Sequence, residues 1–299
     1  MIERLKECTL CPHMCKVNRQ DGHIGRCKAT DKIKIALASV HKFEEPCISG
    51  ENGSGTIFFS NCNFRCKFCQ NYEISQEGLG KEITIEELAD IFISEQERNV
   101  NNINLVTPTM YVYHIIEAID LARKNGLTIP IIYNSNGYEN IETIKLLNGY
   151  IDVYLPDFKY YNDKIAEKYS GIENYFEYTT KAIKEMYNQV KNPVFDENGI
   201  IKKGLIIRHL ILPNYIENSK HVLKWIRENL GKDVYISIMA QYFPTYKAKQ
   251  DEFLNRKINK KEYKKIEDYI FELGFENGYI QDLGEHEEEY VPDFRNGLD

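Results

Sequence analysis

The chain has 299 residues, of which 42% are hydrophobic and 28% are charged, a balance that predicts one large or two smaller globular domains. No apolar run approaches the ~20 residues of a membrane span, and the first residues lack the apolar core of a secretory signal. We therefore expect a cytoplasmic protein with no membrane partner. The net charge of −7 does not favour sequence-independent binding to nucleic acid, which depends on Lys and Arg.

The N-terminal residues 1–50 are rich in cysteine and otherwise read as irregular. Cys8, Cys11, Cys15 and Cys27 form the pattern C-x2-C-x3-C-x11-C, which predicts a closed four-thiolate metal site. Both zinc and an auxiliary iron–sulfur cluster satisfy this pattern. Cys47 has no such partners, and we expect it to be a small buried residue.

From about residue 51 onward, short apolar runs alternate with longer amphipathic ones, as in a parallel sheet with crossover helices. Six strands are predicted: 55–60, 103–107, 129–134, 151–157, 205–212 and 234–239. Helices are predicted over 84–98, from about 110 to 125, and over 139–149, 161–190, 218–230 and 260–273. Thr84 and Glu87 form a capping box for the first helix. Residues 191–204 predict a hairpin or loop, and "EHEEEY" (285–290) a solvated surface segment.

Two architectures fit six alternating strands, an open six-stranded barrel and a doubly wound sheet. In both, ligands bind at the carboxyl ends of the strands. Polar residues follow several of the predicted strands at that end: Thr107 and Thr109, "NSNG" (134–137), "PDFK" (156–159), and Gln241 with Tyr242.

The first of these strands leads directly into "NCNFRCKFCQ" (61–70), in which Cys62, Cys66 and Cys69 have the spacing C-x3-C-x2-C. Thiolates are soft ligands that suit zinc or iron–sulfur clusters. A [4Fe–4S] cluster ordinarily takes four cysteines, so three would leave one iron open to another ligand. The alternative is a zinc loop that a distant His or Cys completes.

This spacing, with an aromatic residue (Phe68) before the last cysteine and a strand before the first, resembles the radical S-adenosylmethionine (SAM) superfamily. The resemblance extends over about residues 8–242 to a subgroup that is similar to the pyruvate formate-lyase activating enzyme. The stretches that carry it are "CTLCPHMC", "GHIGRC", "EEPCISGENGSGTIFFS", "CKFCQNYEIS", "NLVTPT", "YNSNGY", "YLPDFKY" and "IIRHLILP". It implies a partial (β/α)6 TIM-like barrel over 51–299, preceded by the cysteine-rich metal-binding segment 1–50.

The resemblance also implies roles for individual residues. Cys62, Cys66 and Cys69 would hold the [4Fe–4S] cluster, and SAM would bind its open iron and be cleaved by one electron to a 5′-deoxyadenosyl radical. Phe68 would pack near the adenine. The family's Gly-Gly-Glu-like stretch is absent, and Thr107 or backbone carbonyls would take its place. The remaining expected SAM contacts are Asn134, Asn136, Asp157 and Lys159.

The radical would then abstract a hydrogen atom from a partner molecule, and no side-chain acid or base is expected. The resemblance suggests a glycyl radical enzyme as the partner. The alternatives are another polypeptide or a small molecule, or a non-catalytic metal-binding module. An electron donor such as flavodoxin or ferredoxin would supply the electron.

Overall fold

The computed structural model describes residues 1–284 and 292–295, so the predicted surface segment "EHEEEY" lies outside the described residues. The strands are β1 Ile33–His41, β2 Ser54–Phe59, β3 Lys81–Ile83, β4 Ile103–Val106, β5 Ile131–Ser135, β6 Val153–Pro156, β7 Val194–Phe195, β8 Ile201–Leu210, β9 Tyr235–Met239 and β10 Gly278–Ile280. The helices are α1 Pro46–Ser49, α2 Tyr72–Ser75, α3 Ile85–Glu97, α4 Val112–Lys124, α5 Ile141–Leu146, α6 Asp163–Ser170, α7 Tyr175–Val190, α8 Ile216–Leu230 and α9 Lys260–Leu273.

These strands form a sheet in the order β10-β9-β8-β6-β5-β4-β2-β1-β3, with β7 paired to β8. The strands from β2 to β10 along this order are parallel, whereas β1 runs antiparallel to β2 and β3 antiparallel to β1. Each parallel strand lies beside the next one in the chain, without the reversal of order that defines a doubly wound sheet. The sheet is therefore a partial barrel, and the predicted fold class is confirmed.

The long helices bury an apolar stripe, and two of them, α3 and α9, begin at a capping box. In α3, the Thr84 hydroxyl accepts a hydrogen bond from the Glu87 backbone N–H, and the Glu87 carboxylate accepts one from Thr84 N–H, which confirms the capping box. Leu88 and Phe92 of this helix are buried in the main hydrophobic core, which lies between the helices and the outer face of the sheet. This packing holds the parallel strands in register and aligns their carboxyl ends.

The short helix α1 fills the inner side of the sheet. Its residues Cys47 and Ile48 pack against Ile132, Leu155 and Ile206, which alternate along their strands with residues of the outer core. Cys47 is 3% exposed, which confirms that it is a small buried residue. Since α1 follows β1, which runs opposite to β2, the segment after β1 enters the barrel from the amino ends of the parallel strands.

The expectation that residues 1–50 are irregular is wrong for Ile33–His41, which form β1 and pair with β2 over most of their length. The division at residues 50 and 51 stays a prediction. The helical region 161–190 is two helices, because Gly171 ends α6 at a φ of 65°. Residues 191–204, predicted as a hairpin or a loop, contain a hairpin in which β7 pairs with β8. No helix in the described ranges is both long and apolar enough to cross a bilayer.

Candidate active site

A cavity opens at the carboxyl ends of the parallel strands. It contains each residue that the sequence predicts for the cluster and for SAM, and these are Cys62, Cys66, Phe68, Cys69, Thr107, Asn134, Asn136, Asp157 and Lys159. They come from loops that are up to about a hundred residues apart in the chain, and the parallel sheet brings them to one edge. Their individual roles stay predictions.

The three cysteines of the loop after β2 have sulfur atoms that meet hydrogen-bonding groups of the protein. The Phe64 backbone N–H donates to Cys62 Sγ at 3.4 Å. Cys66 Sγ lies 3.1 Å from Ser170 Oγ, and Cys69 Sγ lies 3.2 Å from Ser75 Oγ. N–H and O–H groups placed this way orient thiolate ligands and tune the metal that they hold.

Burial sets the protonation of these thiols. It raises the pKa of Cys62 and that of Cys66 to about 12, and it also raises the pKa of Cys69. The free side chains are therefore neutral at physiological pH. Binding a soft metal cation would release their protons, because the thiolate is the ligand form.

The chemistry of the three thiols suits a soft metal centre. Among residues 1–284 and 292–295, no three His, Cys, Asp or Glu side chains are already gathered around one point. A [4Fe–4S] cluster bonds each thiolate to a different iron. The donor set of Cys62, Cys66 and Cys69 fits such a cluster.

Asn136 contacts the cysteine loop directly. Its side-chain amide donates to Cys62 Sγ at 3.6 Å and to Asn63 Oδ1 at 2.7 Å, while its Oδ1 accepts from the Tyr138 backbone N–H at 3.0 Å. These bonds fix the turn after β5 against the loop after β2. Asn136 thus positions Cys62, and its predicted contact with SAM remains to be tested.

Thr107, at the end of β4, has a φ of 60°, in the left-handed region that β-branched residues rarely adopt. Its backbone N–H donates to the Asn134 carbonyl oxygen at 2.9 Å, which ties together the ends of β4 and β5. Strained backbone of this kind is found where the surrounding structure holds it for a functional reason. The strained residue occupies the position where the family's Gly-Gly-Glu-like stretch is missing.

Asp157 and Lys159 form an ion pair in the cavity wall, and their side chains are 19% and 15% exposed. Burial alone would lower the pKa of the Lys159 ammonium, but the charge of Asp157 and its hydrogen bond to Lys159 act against burial, and the pKa lies above its ordinary value. Lys159 is therefore a fixed positive charge at the cavity. Phe68 lines the same space, with its ring centroid 5.9 Å from that of Tyr242.

The sequence reasoning missed several residues of this site. Ser75 and Ser170, which contact the thiols of Cys69 and Cys66, carry no local signal, because their contacts depend on the fold. Arg208 of β8 lines the cavity and pairs with Glu44 at 2.9 Å. A charged residue inside the apolar run "LIIRHLIL" was the signal that could have identified Arg208.

The four N-terminal cysteines lie behind the cysteine loop rather than in the cavity. The Arg26 backbone N–H donates to Cys15 Sγ at 3.4 Å, and burial raises the pKa values of Cys11 and Cys27. His13 Nε2 lies 2.9 Å from the carbonyl oxygen of Asn63, the residue after Cys62. The N-terminal segment thus supports the loop, whereas its metal site stays a prediction.

Comparisons with known proteins agree with this geometry. The model of the Radical SAM superfamily matches residues 56–201. The uncharacterized protein MJ0674 of Methanocaldococcus jannaschii is 34% identical over 270 residues, which cover 87% of this chain and 73% of that protein. The pyruvate formate-lyase-activating enzyme of Clostridium pasteurianum is 23% identical over 256 residues, which cover 80% of this chain and 99% of that enzyme.

Among solved structures, anSMEcpe with bound AdoMet superposes with a TM-score of 0.51 at 15% identity, over 79% of this chain and 60% of that one. The chain of Streptococcus suis SuiB bound to precursor peptide SuiA matches with a TM-score of 0.48 at 15% identity over 74% of this chain. This chain spans 46% of the SuiB chain. At 15% identity the likeness to anSMEcpe is one of fold.

Proposed function

Because this chain belongs to the radical SAM superfamily, we propose that it cleaves SAM at a [4Fe–4S] cluster that Cys62, Cys66 and Cys69 hold. The observation that carries the proposal is the single cavity shared by these cysteines and by the predicted SAM residues. The anSMEcpe structure, which has the same fold, contains AdoMet, and this supports the same ligand here.

The bound cluster and SAM would supply the reactive chemistry, namely a one-electron cleavage that yields a 5′-deoxyadenosyl radical. The protein's own residues would bind SAM and the cluster and orient them. Lys159 offers a point charge to the SAM carboxylate, and Phe68 and Tyr242 offer an apolar wall to the adenine. Asn136, Ser170 and Ser75 hold the cysteine side chains through their hydrogen bonds.

The test is anaerobic reconstitution with iron and sulfide, followed by incubation with SAM and a reductant. The wild-type chain should bind the cluster and form 5′-deoxyadenosine, whereas Cys66→Ala should lose both properties. Cys47→Ala, which removes a buried thiol outside the cavity, is the matched control and should behave as the wild type. A Cys66→Ala protein that keeps a complete cluster and still forms 5′-deoxyadenosine would overturn the proposal.

For the hydrogen-atom donor, we propose the backbone of a partner glycyl radical enzyme. The support is the match to nearly the full length of the Clostridium pasteurianum pyruvate formate-lyase-activating enzyme. Mixing with a candidate partner should give a glycyl radical signal in electron paramagnetic resonance. 5′-Deoxyadenosine without that signal would favour another polypeptide or a small molecule, and no 5′-deoxyadenosine at all would favour a non-catalytic metal-binding module.

For Cys8, Cys11, Cys15 and Cys27 we propose a second metal site, either structural zinc or an auxiliary iron–sulfur cluster. Its support is the spacing C-x2-C-x3-C-x11-C of the four thiols, which are not gathered around one point in this structure and would converge when the metal binds. Metal analysis of a variant in which Cys62, Cys66 and Cys69 are all alanine decides between the two metals. Zinc alone would leave flavodoxin or ferredoxin to donate electrons directly to the SAM cluster.

A further inference from the structure

The inner face of the barrel carries a buried charged cluster next to the cavity. Arg208 Nη1 lies 2.9 Å from Glu44 Oε2, and Arg208 Nε lies 3.5 Å from Glu45 Oε1 and 3.8 Å from Asp157 Oδ1. Asn104 Nδ2 donates to Glu44 Oε1 at 2.9 Å. Glu44 and Glu45 lie in the segment before α1, whereas Asn104 lies in β4, Asp157 directly after β6 and Arg208 in β8, so the sheet and that segment build this cluster together.

Three atoms in the cluster have no hydrogen-bond partner among the described residues: the acceptors Glu45 Oε2 and Asn104 Oδ1 and the donor Arg208 Nε. The donor already faces a carboxylate, because Arg208 Nε lies 3.5 Å from Glu45 Oε1. The Glu45 side chain is 6% exposed and Asn104 is 0% exposed. Buried polar atoms are almost always hydrogen-bonded, and an unpaired carboxylate oxygen is among the costliest exceptions. The group that would satisfy Glu45 Oε2 is a donor.

The charges in the cluster point to the same kind of group. Glu44, Glu45 and Asp157 supply three carboxylates, while Arg208 and Lys159 supply two cations. Burial, and then the charge of Glu45, raises the pKa of Glu44 against the opposing effect of Arg208. A further positive charge would balance the cluster.

Glu45 is accessible from a second cavity, which is lined by β10 and by the segment before α1. The two cavities share the wall formed by Phe43, Glu44, Arg208, Met239 and Gln241. A molecule with one end at Glu45 can therefore extend past Arg208 toward the space in front of Cys62, Cys66 and Cys69.

We propose that Glu45 binds an ammonium or guanidinium group of the molecule that donates the hydrogen atom. The identity of this molecule as the radical's target depends on the proposed function, whereas its binding to Glu45 does not. A cationic N–H donor matches both the unpartnered Glu45 oxygen and the excess carboxylate. It also makes basic side chains and amines the substrate class to search.

The test compares ethylguanidinium with N-ethylurea, its neutral isostere, by calorimetric titration of the anaerobically purified full chain. We expect ethylguanidinium to bind on the order of tenfold more tightly than N-ethylurea, since a buried charge-assisted hydrogen bond contributes that much. Glu45→Gln should abolish the difference, and Glu45→Asp, which keeps the charge, should retain part of it. Glu51→Gln, on the exposed turn after α1, should bind as the wild type does.

Equal binding of the two probes to the wild-type chain would overturn the proposal, even if Glu45→Gln did not fold. A Glu45→Gln protein that folds and keeps the preference would overturn it as well. Agmatine and an arginine-containing tripeptide then separate a free amine from a polypeptide side chain as the natural source. Formation of 5′-deoxyadenosine is measured separately, so failure of the cation site and failure of SAM cleavage are distinguishable.

Discussion

Lys159 brings a positive charge into the cavity wall, where Asp157 holds it. Lys159→Ala removes the cation that we propose to pair with the SAM carboxylate, so we expect SAM to bind on the order of tenfold more weakly. An anaerobic equilibrium titration measures this change. Lys164→Ala, on the exposed side of α6, is the control and should bind SAM normally. Unchanged affinity in Lys159→Ala would remove Lys159 from the SAM site.

Glu139 follows the turn after β5 and is fully buried, with Oε1 accepting from the Thr109 hydroxyl at 2.7 Å. Burial raises the pKa of Glu139 to about 8, above its ordinary value of 4.5. Between these two pH values the folded chain holds a proton that the unfolded chain has lost. The contribution of Glu139 to folding is therefore complete below the lower value and is lost as pH rises toward the higher one.

Glu139→Gln keeps the acceptor for Thr109 but does not titrate. We compare the free energy of unfolding of the wild type with that of this variant. As pH rises from about 4.5 to about 8, we expect the wild-type value to fall relative to the variant by at most about 1.4 kcal/mol per pH unit. Urea unfolding of both proteins at about pH 5 and about pH 8 measures the difference. Glu167→Gln, an exposed control, should show the wild-type pH dependence. Parallel pH profiles for the wild type and Glu139→Gln would contradict the buried neutral carboxyl.

Single residues of the site could be predicted where local spacing carries the chemistry, as in Cys62, Cys66 and Cys69. The partners of those residues could not. Ser170 lies 104 positions from Cys66 in the chain, and Glu44 lies 164 positions from Arg208. Such contacts arise only when the sheet is assembled, and serine or glutamate alone in a sequence gives no sign of them.

At the scale of elements, β10 depends on one glycine. Gly278 has a φ of 134°, and a Cβ at this position would overlap the Ile236 carbonyl oxygen of β9. Gly278→Ala should therefore destabilise the chain by at least about 2 kcal/mol and detach β10. Gly274→Ala is the matched control, since its φ is also positive, at 68°, but no atom lies within 4 Å of the added Cβ. That variant should cost only about 1 kcal/mol.

Urea unfolding measures the two costs, and hydrogen exchange of the backbone amides in β10 reports whether the strand has separated from β9. Equal destabilisation by the two substitutions, with β10 still protected, would show that the close approach at Gly278 does not hold the strand.

Elements with a strong hydrophobic periodicity or a capping residue could be predicted, as α3 shows with its capping box and its buried apolar stripe. The elements that were missed have weak signals. β3 and β10 are three residues long, too short for any hydrophobic period to be visible. β1 was missed because the cysteine-rich turns before it suggested that all of residues 1–50 are irregular. The stretch "IKIALASV" nevertheless has the apolar content of a strand.

At the scale of the whole molecule, loading the cluster should stabilise the fold. A ligand that binds only the folded chain adds about 2.7 kcal/mol at a concentration a hundred times its Kd. We expect the reconstituted chain to melt several degrees above the metal-free chain in anaerobic calorimetry, and a chelator to reverse the gain. A variant with alanine at Cys62, Cys66 and Cys69 is the control for metal bound elsewhere. An equal shift in that variant would assign the stabilisation to the N-terminal cysteines.

Six of the parallel strands and their alternation with helices could be read from the sequence, but two architectures share that pattern. The structure separates them by strand order, which depends on which strands pair and therefore on contacts across the whole chain. The same order places the ends of β2, β4, β5 and β6 side by side, which is why the polar residues predicted at separate strand ends line one cavity.

The pairing of Glu44 with Arg208 has a consequence for synthesis on the ribosome. Glu44 lies 164 positions before Arg208 in the chain, so the segment before α1 leaves the exit tunnel long before Arg208 does. Synthesis adds about 5–20 residues per second, so the Glu44 carboxylate lacks its Arg208 partner for on the order of ten seconds or more. The inside of the barrel is therefore completed late, and the early part of the chain must remain soluble until β8 has been synthesised.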